Sequence, residues 1–353
     1  MRLAEQGQLP APAQDERRVF IPERIAVPPS FAALRVLSIE HLGGKTMGTS
    51  WSAKMALPRG ADLASLKLGI EAVLACVVAE MSPWEQGSAL SRFNAAPGGT
   101  WHRLPDGFFK VLSAAMHWAE RTGGAYDPTI GAIVDLWGFG PRDVTEGLPK
   151  QDAVNAAVAS SGWQRVKRDV DARRVFQPGQ LRLDLCAIAK GFAVDEVVRF
   201  LRQSGVANLL VEIGGELRGE GVKPDGSPWW VEFETPRAGQ FASPEPLDAV
   251  LALNGISVAT SGDEQRYFDR DGRRYAHTID PRTGRPVAHD LVSVTVVAED
   301  CMTADVLATA LTVLGPEQGP AFAADNGLAA RFVRLEGERL VECLTPAMAV
   351  MLN

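Results

Sequence analysis

The chain has 353 residues, 46% of them hydrophobic and 22% charged, which is enough apolar material for a sizeable core and argues against disorder over most of its length. Against 36 Lys and Arg stand 43 Asp and Glu, and a net charge of −7 offers no global positive field for a nucleic-acid backbone or an anionic membrane. Cys76, Cys186, Cys301 and Cys343 show no CxxC spacing, which argues against a zinc knuckle, a thioredoxin-like site and a disulfide framework.

Residues 1–29 carry prolines and charges where a secretory signal needs a basic start and an apolar run. They read as an extended Pro-rich arm, disordered or draped over a body of residues 30–353. With no export signal or transmembrane helix visible, the chain as it stands is expected in the cytoplasm. If a leader has been removed, the expectation becomes a periplasmic or membrane-associated place.

Residues 49–56 read as a strand, with a first hairpin expected around Gly43-Gly44. Leu63, Leu66, Ile70, Val73, Val77 and Met81 recur at steps of three and four, which predicts a helix ending near Ser82-Pro83. Phe108, Leu112, Ala115 and Ala119 predict a second helix, and Ala153, Val154, Ala157 and Val158 a shorter third. A fourth, marked by Phe192, Val197, Phe200 and Leu201, is entered from a strand over 181–185. The second half is strand-rich, at 208–213, 229–234, 247–253, 256–259, 267–269, 274–279 and 292–297, with Asp271-Gly272 as a hairpin turn. A helix over 302–314 and a hairpin around Gly337 complete the pattern. Strand and helix do not alternate strictly and no period repeats, so the expected class is α+β, mixed sheets with packed helices in one two-lobed catalytic unit.

Four constellations stand out. The run from Gly123-Gly124-Ala125-Tyr126-Asp127-Pro128-Thr129 to Leu136-Trp137-Gly138-Phe139-Gly140 either lets backbone and aromatic faces approach a ligand or is a helix C-cap with a tight turn. Asp184 to Gly191 leads into a helix, where backbone N–H groups and Lys190 suit a diphosphate. The same residues equally read as a capping acid and a solvated lysine. Asp305 and Thr309 stand four apart on one helix face, either hard oxygen donors of the kind Mg²⁺ takes or simply a polar face. His277 sits in Tyr275-Ala276-His277-Thr278-Ile279-Asp280-Pro281-Arg282-Thr283-Gly284, able to exchange a proton near neutral pH or to hydrogen-bond at a turn.

In this order, together with Thr46-Met47-Gly48-Thr49, Met81-Ser82-Pro83-Trp84, Ser88-Ala89-Leu90-Ser91-Arg92-Phe93-Asn94, Ile213-Gly214-Gly215-Glu216, Ala259-Thr260-Ser261-Gly262-Asp263 and Thr303-Ala304-Asp305, these segments resemble the ApbE family of FAD:protein FMN transferases over roughly residues 44–314. The resemblance implies an ApbE-like α+β fold and Mg²⁺-dependent transfer of FMN from FAD to a threonine or serine hydroxyl of an acceptor flavoprotein, with AMP released. It implies Asp305 and Thr309 as side-chain metal ligands, with Asp305 also counted as catalytic, and the Ala187 carbonyl as a further ligand. Met47, Trp84, Ala125, Tyr126, Asp127, Asp184, Lys190 and Thr278 are implied at the FAD site, with His277 as the base for the acceptor hydroxyl and the polar turn at 260–263 beside it. Trp84 stands where the family commonly has Tyr, keeping a stacking surface but losing a hydroxyl, and Cys186 stands where Ser is usual. Two other functions fit the same residues: an Mg²⁺-dependent FAD pyrophosphatase yielding FMN and AMP, and a non-enzymatic FAD-binding protein.

Overall fold

The structure is a computed structural model that describes residues 2–3, 18–22, 34–141, 147–233, 243, 247–262, 267–270 and 273–353. It is α+β, and its contacts divide the chain into two compact units. The first comprises Met1–Val73, Lys190–Glu264 and Asp290–Asn353, the second Leu74–Ala189 and Gln265–His289. Most of the arm, together with Asp263 and the Asp271-Gly272 turn, lies outside the described residues.

The first unit is built on an eight-stranded sheet, ordered Arg339–Leu344, Ala329–Glu336, Leu291–Ala298, Ile256–Gly262, Glu216–Glu220, Leu209–Ile213, Thr49–Pro58 and Leu37–Thr46. Every neighbouring pair is antiparallel, unlike a parallel-stranded doubly wound fold. A four-stranded sheet, ordered Arg2–Leu3, Trp229–Phe233, Ala249–Leu253 and Arg18–Phe20, belongs to the same unit. Leu210, Leu217, Val258 and Val297 of the large sheet share one apolar core with Trp229, Val231, Phe233, Leu251 and Phe20 of the small one.

The arm contributes to that core: Phe20 is fully buried, and its strand pairs in parallel with Ala249–Leu253. The neighbouring backbone reaches the far end of the sequence, since Ile21 N–H donates to the Met351 carbonyl at 2.6 Å and Asn353 N–H to that of Val19 at 2.9 Å. Arg18 forms an ion pair with Glu342, which also accepts from the buried Arg331 at 2.5 Å.

The helices Ala189–Gln203 and Cys301–Asp325 carry site residues. The second, expected over 302–314, continues beyond a break at Gly315 (φ 84°), because Pro316 begins a new helical stretch where a proline has no N–H to lose. The first hairpin turns at Met47-Gly48, both at positive φ, and not at Gly43-Gly44. Gly44 lies within the strand opposite Trp51, where a Cβ would come within 2.6 Å of the indole nitrogen.

The second unit carries the helices Ala89–Ala95, Asp106–Arg121, Gly131–Leu136 and Gln151–Ser160, and a small sheet ordered Thr100–Arg103, Arg174–Gln177, Lys167–Asp169. Residues 181–185, expected as a strand, are extended without joining a sheet. The Asn94 amide takes both the Leu183 N–H and its carbonyl at 2.8 Å, and the Asp184 N–H donates to the Pro128 carbonyl at 2.8 Å. These partners occupy groups that a neighbouring strand would use.

Candidate active site

In the first unit the polar focus forms where the Ala189–Gln203 helix meets the Cys301–Asp325 helix. Gly191 makes the approach possible: a Cβ there would lie 2.2 Å from the Cys301 carbonyl oxygen and 2.8 Å from Asp305 Cβ. The bare backbone donates its N–H to Asp305 Oδ2 at 2.9 Å. One residue earlier, Lys190 forms an ion pair with Glu216, the first residue of the strand after the Gly214-Gly215 turn. Along the strand Ile256–Gly262, Ser261 presents its hydroxyl to that of Thr309 at 3.2 Å. The described part of 260–263 is thus the end of a strand and not a turn, with Thr260 Oγ1 2.9 Å from Thr295 Oγ1.

This cluster sets two acids and a lysine in a buried setting. Burial pushes the Glu216 carboxyl up to about 7, with the Asp305 charge acting in the same direction and Lys190 offsetting part of the rise. Burial likewise raises Asp305, opposed by Lys190 and the Gly191 N–H. Glu216 Oε2 is buried with no hydrogen-bond partner, an expensive state for a carboxylate oxygen unless a cation answers it. Carboxylate and hydroxyl oxygens from Asp305, Thr309 and Ser261 are the hard donors that fit Mg²⁺. Among the described residues no three His, Cys, Asp or Glu side chains cluster as a metal site would require, so any ion here would rest on fewer protein carboxylates together with hydroxyl oxygens. Met47, also in this unit, is half-buried in the hairpin turn. Glu216 and Ser261 had no sequence-derived role of their own. The signal available for Glu216 was an acid directly after Gly-Gly at the start of an apolar strand.

The second unit holds the other predicted residues. His277 is half-buried between the strands Arg273–Ala276 and Ile279–Asp280, its ring edge-on to Phe139 at 6.4 Å between centroids. Phe139 stacks on Phe268, Phe268 on Tyr275 at 5.0 Å, and Tyr275 on Trp137, whose indole N–H donates to the Gly284 carbonyl at 2.7 Å. Two sequence segments more than a hundred residues apart thereby become one aromatic cluster, which touches the histidine through Phe139. Thr278, beside it, is buried.

Ala125, Tyr126 and Asp127 are also buried. Asp127 Oδ1 accepts from the Thr129 N–H at 2.8 Å and hydroxyl at 2.7 Å, and Oδ2 from the Trp163 N–H at 2.9 Å. Burial raises its carboxyl despite these donors. The side chain therefore ties the 125–131 loop to the turn at Trp163–Arg165. Asp184 Oδ1 accepts from the Cys186 N–H at 2.9 Å, shaping the turn through half-buried Ala187 into the Lys190 helix. Asp184 also borders a cavity of about 90 Å³ shared with Pro83, Ser91, Asn94 and Asp135. Trp84 is 48% exposed.

A sequence model of the ApbE family matches residues 47–332. The FAD:protein FMN transferase of Vibrio cholerae is 39% identical over 287 residues, covering 81% of this chain and 84% of that protein. The FAD:protein FMN transferase of Haemophilus influenzae is 39% identical over 305 residues, covering 84% and 87%. The crystal structure of the Pseudomonas stutzeri flavinyl transferase ApbE, in its apo form, superposes with a TM-score of 0.82 at 39% identity, covering 89% of this chain and 97% of that one. With the family's sequence pattern running through both units and its fold reproduced across most of the chain, this protein belongs to the ApbE family.

Proposed function

We propose that the chain is an FAD:protein FMN transferase that moves FMN from FAD onto a threonine or serine hydroxyl of an acceptor flavoprotein. The observation that carries this reading is the first-unit focus, where Lys190, Glu216, Asp305, Thr309 and Ser261 set cation-binding oxygens beside an ammonium group. Family membership supplies the reaction class, and relatives named for this activity match most of the chain.

The acceptor oxygen attacks the phosphorus bearing riboflavin, the P–O bond to the second phosphate breaks, and AMP leaves with the electron pair. His277 accepts the hydroxyl proton, so the sum is FAD plus a hydroxyl giving an FMN phosphoester, AMP and a proton. Asp305 and Thr309 hold Mg²⁺ when it is bound, and that ion neutralises charge on the diphosphate. Lys190 contributes positive charge toward the same phosphates, while Glu216 fixes where its ammonium lies. Trp84 offers a face to an aromatic ring of the dinucleotide, Asp127 shapes the buried loop carrying Ala125 and Tyr126, and Met47, Asp184 and Thr278 are further contacts.

Incubation with FAD, Mg²⁺ and an acceptor flavoprotein should add the mass of FMN, less water, to one Thr or Ser, with AMP formed in equal amount. Asp305→Ala should abolish both. Steady release of FMN and AMP at the same rate without acceptor would instead identify a pyrophosphatase. FAD binding without turnover, unaffected by Asp305→Ala, would leave only a carrier.

A further inference from the structure

The first N–H groups of a helix have no partner within it. At the start of Cys301–Asp325 the Thr303 N–H is served by the Asp300 side chain at 2.8 Å, as capping chemistry expects. The two before it are served by another helix. Asp195 of Ala189–Gln203 accepts the Cys301 N–H on Oδ1 at 3.0 Å and the Met302 N–H on Oδ2 at 2.9 Å. Its carboxylate is held from the sheet by Arg218, which donates to Oδ1 at 3.0 Å and to the Glu299 carbonyl at 2.8 Å. The rest of that guanidinium is fixed on Glu220 Oε1 at 2.9 and 2.8 Å.

Asp305 makes the reverse contact, accepting the Gly191 N–H at 2.9 Å. Gly191 and Asp195 are four apart on one helix, as are Cys301 and Asp305 on the other, so each pair lies on one face a turn apart. The helices are clasped twice, each by a carboxylate from one onto backbone N–H groups of the other. A rotation or slide of the Asp305 helix breaks both clasps, and the same motion displaces Asp305 and Thr309.

We infer that Asp195, held by Arg218, is a positioning residue for the metal site: it fixes the start of the Asp305 helix and so the placing of the Asp305 and Thr309 oxygens. This rests on the reading of those two residues as Mg²⁺ ligands. Asp195→Asn keeps the volume and one acceptor oxygen but turns an amide N–H toward Arg218 or the Met302 N–H, donor against donor. Arg218→Gln loosens the carboxylate from the opposite side and serves if the first variant does not fold.

Mg²⁺ binding to the purified full chain is measured by titration calorimetry, with FMN transfer by the wild type followed in parallel. Both variants should weaken Mg²⁺ binding by ~10-fold and raise the Mg²⁺ concentration giving half-maximal transfer, as loss of an outer-shell partner does. Met348→Ala, a fully buried position in the inter-sheet core, is the control that lowers the melting temperature without moving Mg²⁺ affinity. The inference is overturned if Asp195→Asn or, where that variant does not fold, Arg218→Gln binds Mg²⁺ within about twofold of wild type, whatever its melting temperature. A wild type that binds Mg²⁺ but transfers no FMN refutes the proposed function alone. One that binds no Mg²⁺ refutes both.

Discussion

Adding one methyl group at Gly191 tests the helix contact at the centre of the site. The Cβ of Gly191→Ala would stand 2.2 Å from the Cys301 carbonyl oxygen, and real Cβ atoms essentially never approach closer than 3.0 Å, so the helices must part locally by about 0.8 Å. The obstructing atoms are backbone, and no rotamer change relieves the clash. Overpacking of this kind costs about 1–3 kcal/mol, and the Gly191 N–H contact to Asp305 Oδ2 lengthens with it. A displacement near 1 Å in a group that orients the reaction lowers rate by roughly 10²-fold. The assay is FMN transfer to an acceptor at saturating FAD and Mg²⁺, beside a thermal melt of the same preparation. Transfer should fall by about two orders of magnitude while the protein remains folded. A variant that melts with wild type and transfers at its rate would show that the backbone gives way freely there, and the argument for a close-set metal site would fail.

Other expectations follow from the same structure. His277→Ala should lower transfer by roughly 10²–10⁴-fold while leaving FAD affinity within a few-fold, read by single-turnover rates and fluorescence titration. Phe20→Ala should destabilise the chain by about 3–5 kcal/mol in urea, because a fully buried ring is lost from the inter-sheet core. Glu216 has its pKa raised from 4.5 to about 7, so the stability linked to its protonated form is fully present below 4.5 and is lost as pH rises through 7. In metal-free melts from pH 5 to 8 the wild type should therefore lose stability relative to Glu216→Gln; parallel pH profiles would refute this.

Long apolar periodicities were the most legible part of the fold. The steps from Leu63 to Met81 predicted a helix ending near Ser82-Pro83, and the helix Leu63–Met81 ends there, one residue short of Ser82 and two short of Pro83. The strands Thr100–Arg103, Lys167–Asp169 and Arg174–Gln177 went unseen because they are only three or four residues long, too short for an apolar alternation to be read. Gly43-Gly44 looked like a turn because glycine marks turns, yet it also marks the place where an indole from the paired strand needs room. At the candidate site, the helix carrying Asp305 and Thr309 on one face was readable from the sequence, although their spacing alone did not separate metal donors from a polar face. Ser261 and Asp195 were not, because their partners lie 48 and 106 or 107 residues away and only sheet and helix packing brings them near. Glu216 stood in a visible motif, but its burial, which perturbs its titration, is a property of the folded sheet.

The pairing of Arg18 with Glu342 spans 324 positions and has a consequence for synthesis. At about 5–20 residues per second the ribosome needs roughly 16–65 s to make the intervening chain. Throughout that interval the strand Arg18–Phe20 lacks partners from residues 342–353, and its Phe20 ring has only part of its eventual cover. Residues 74–189, one uninterrupted stretch of the second unit, have all been made while the first unit still awaits its last strands. Closure of the first unit is thus a late, high-contact-order event, and the Phe20 ring is the apolar group left waiting for cover until it occurs.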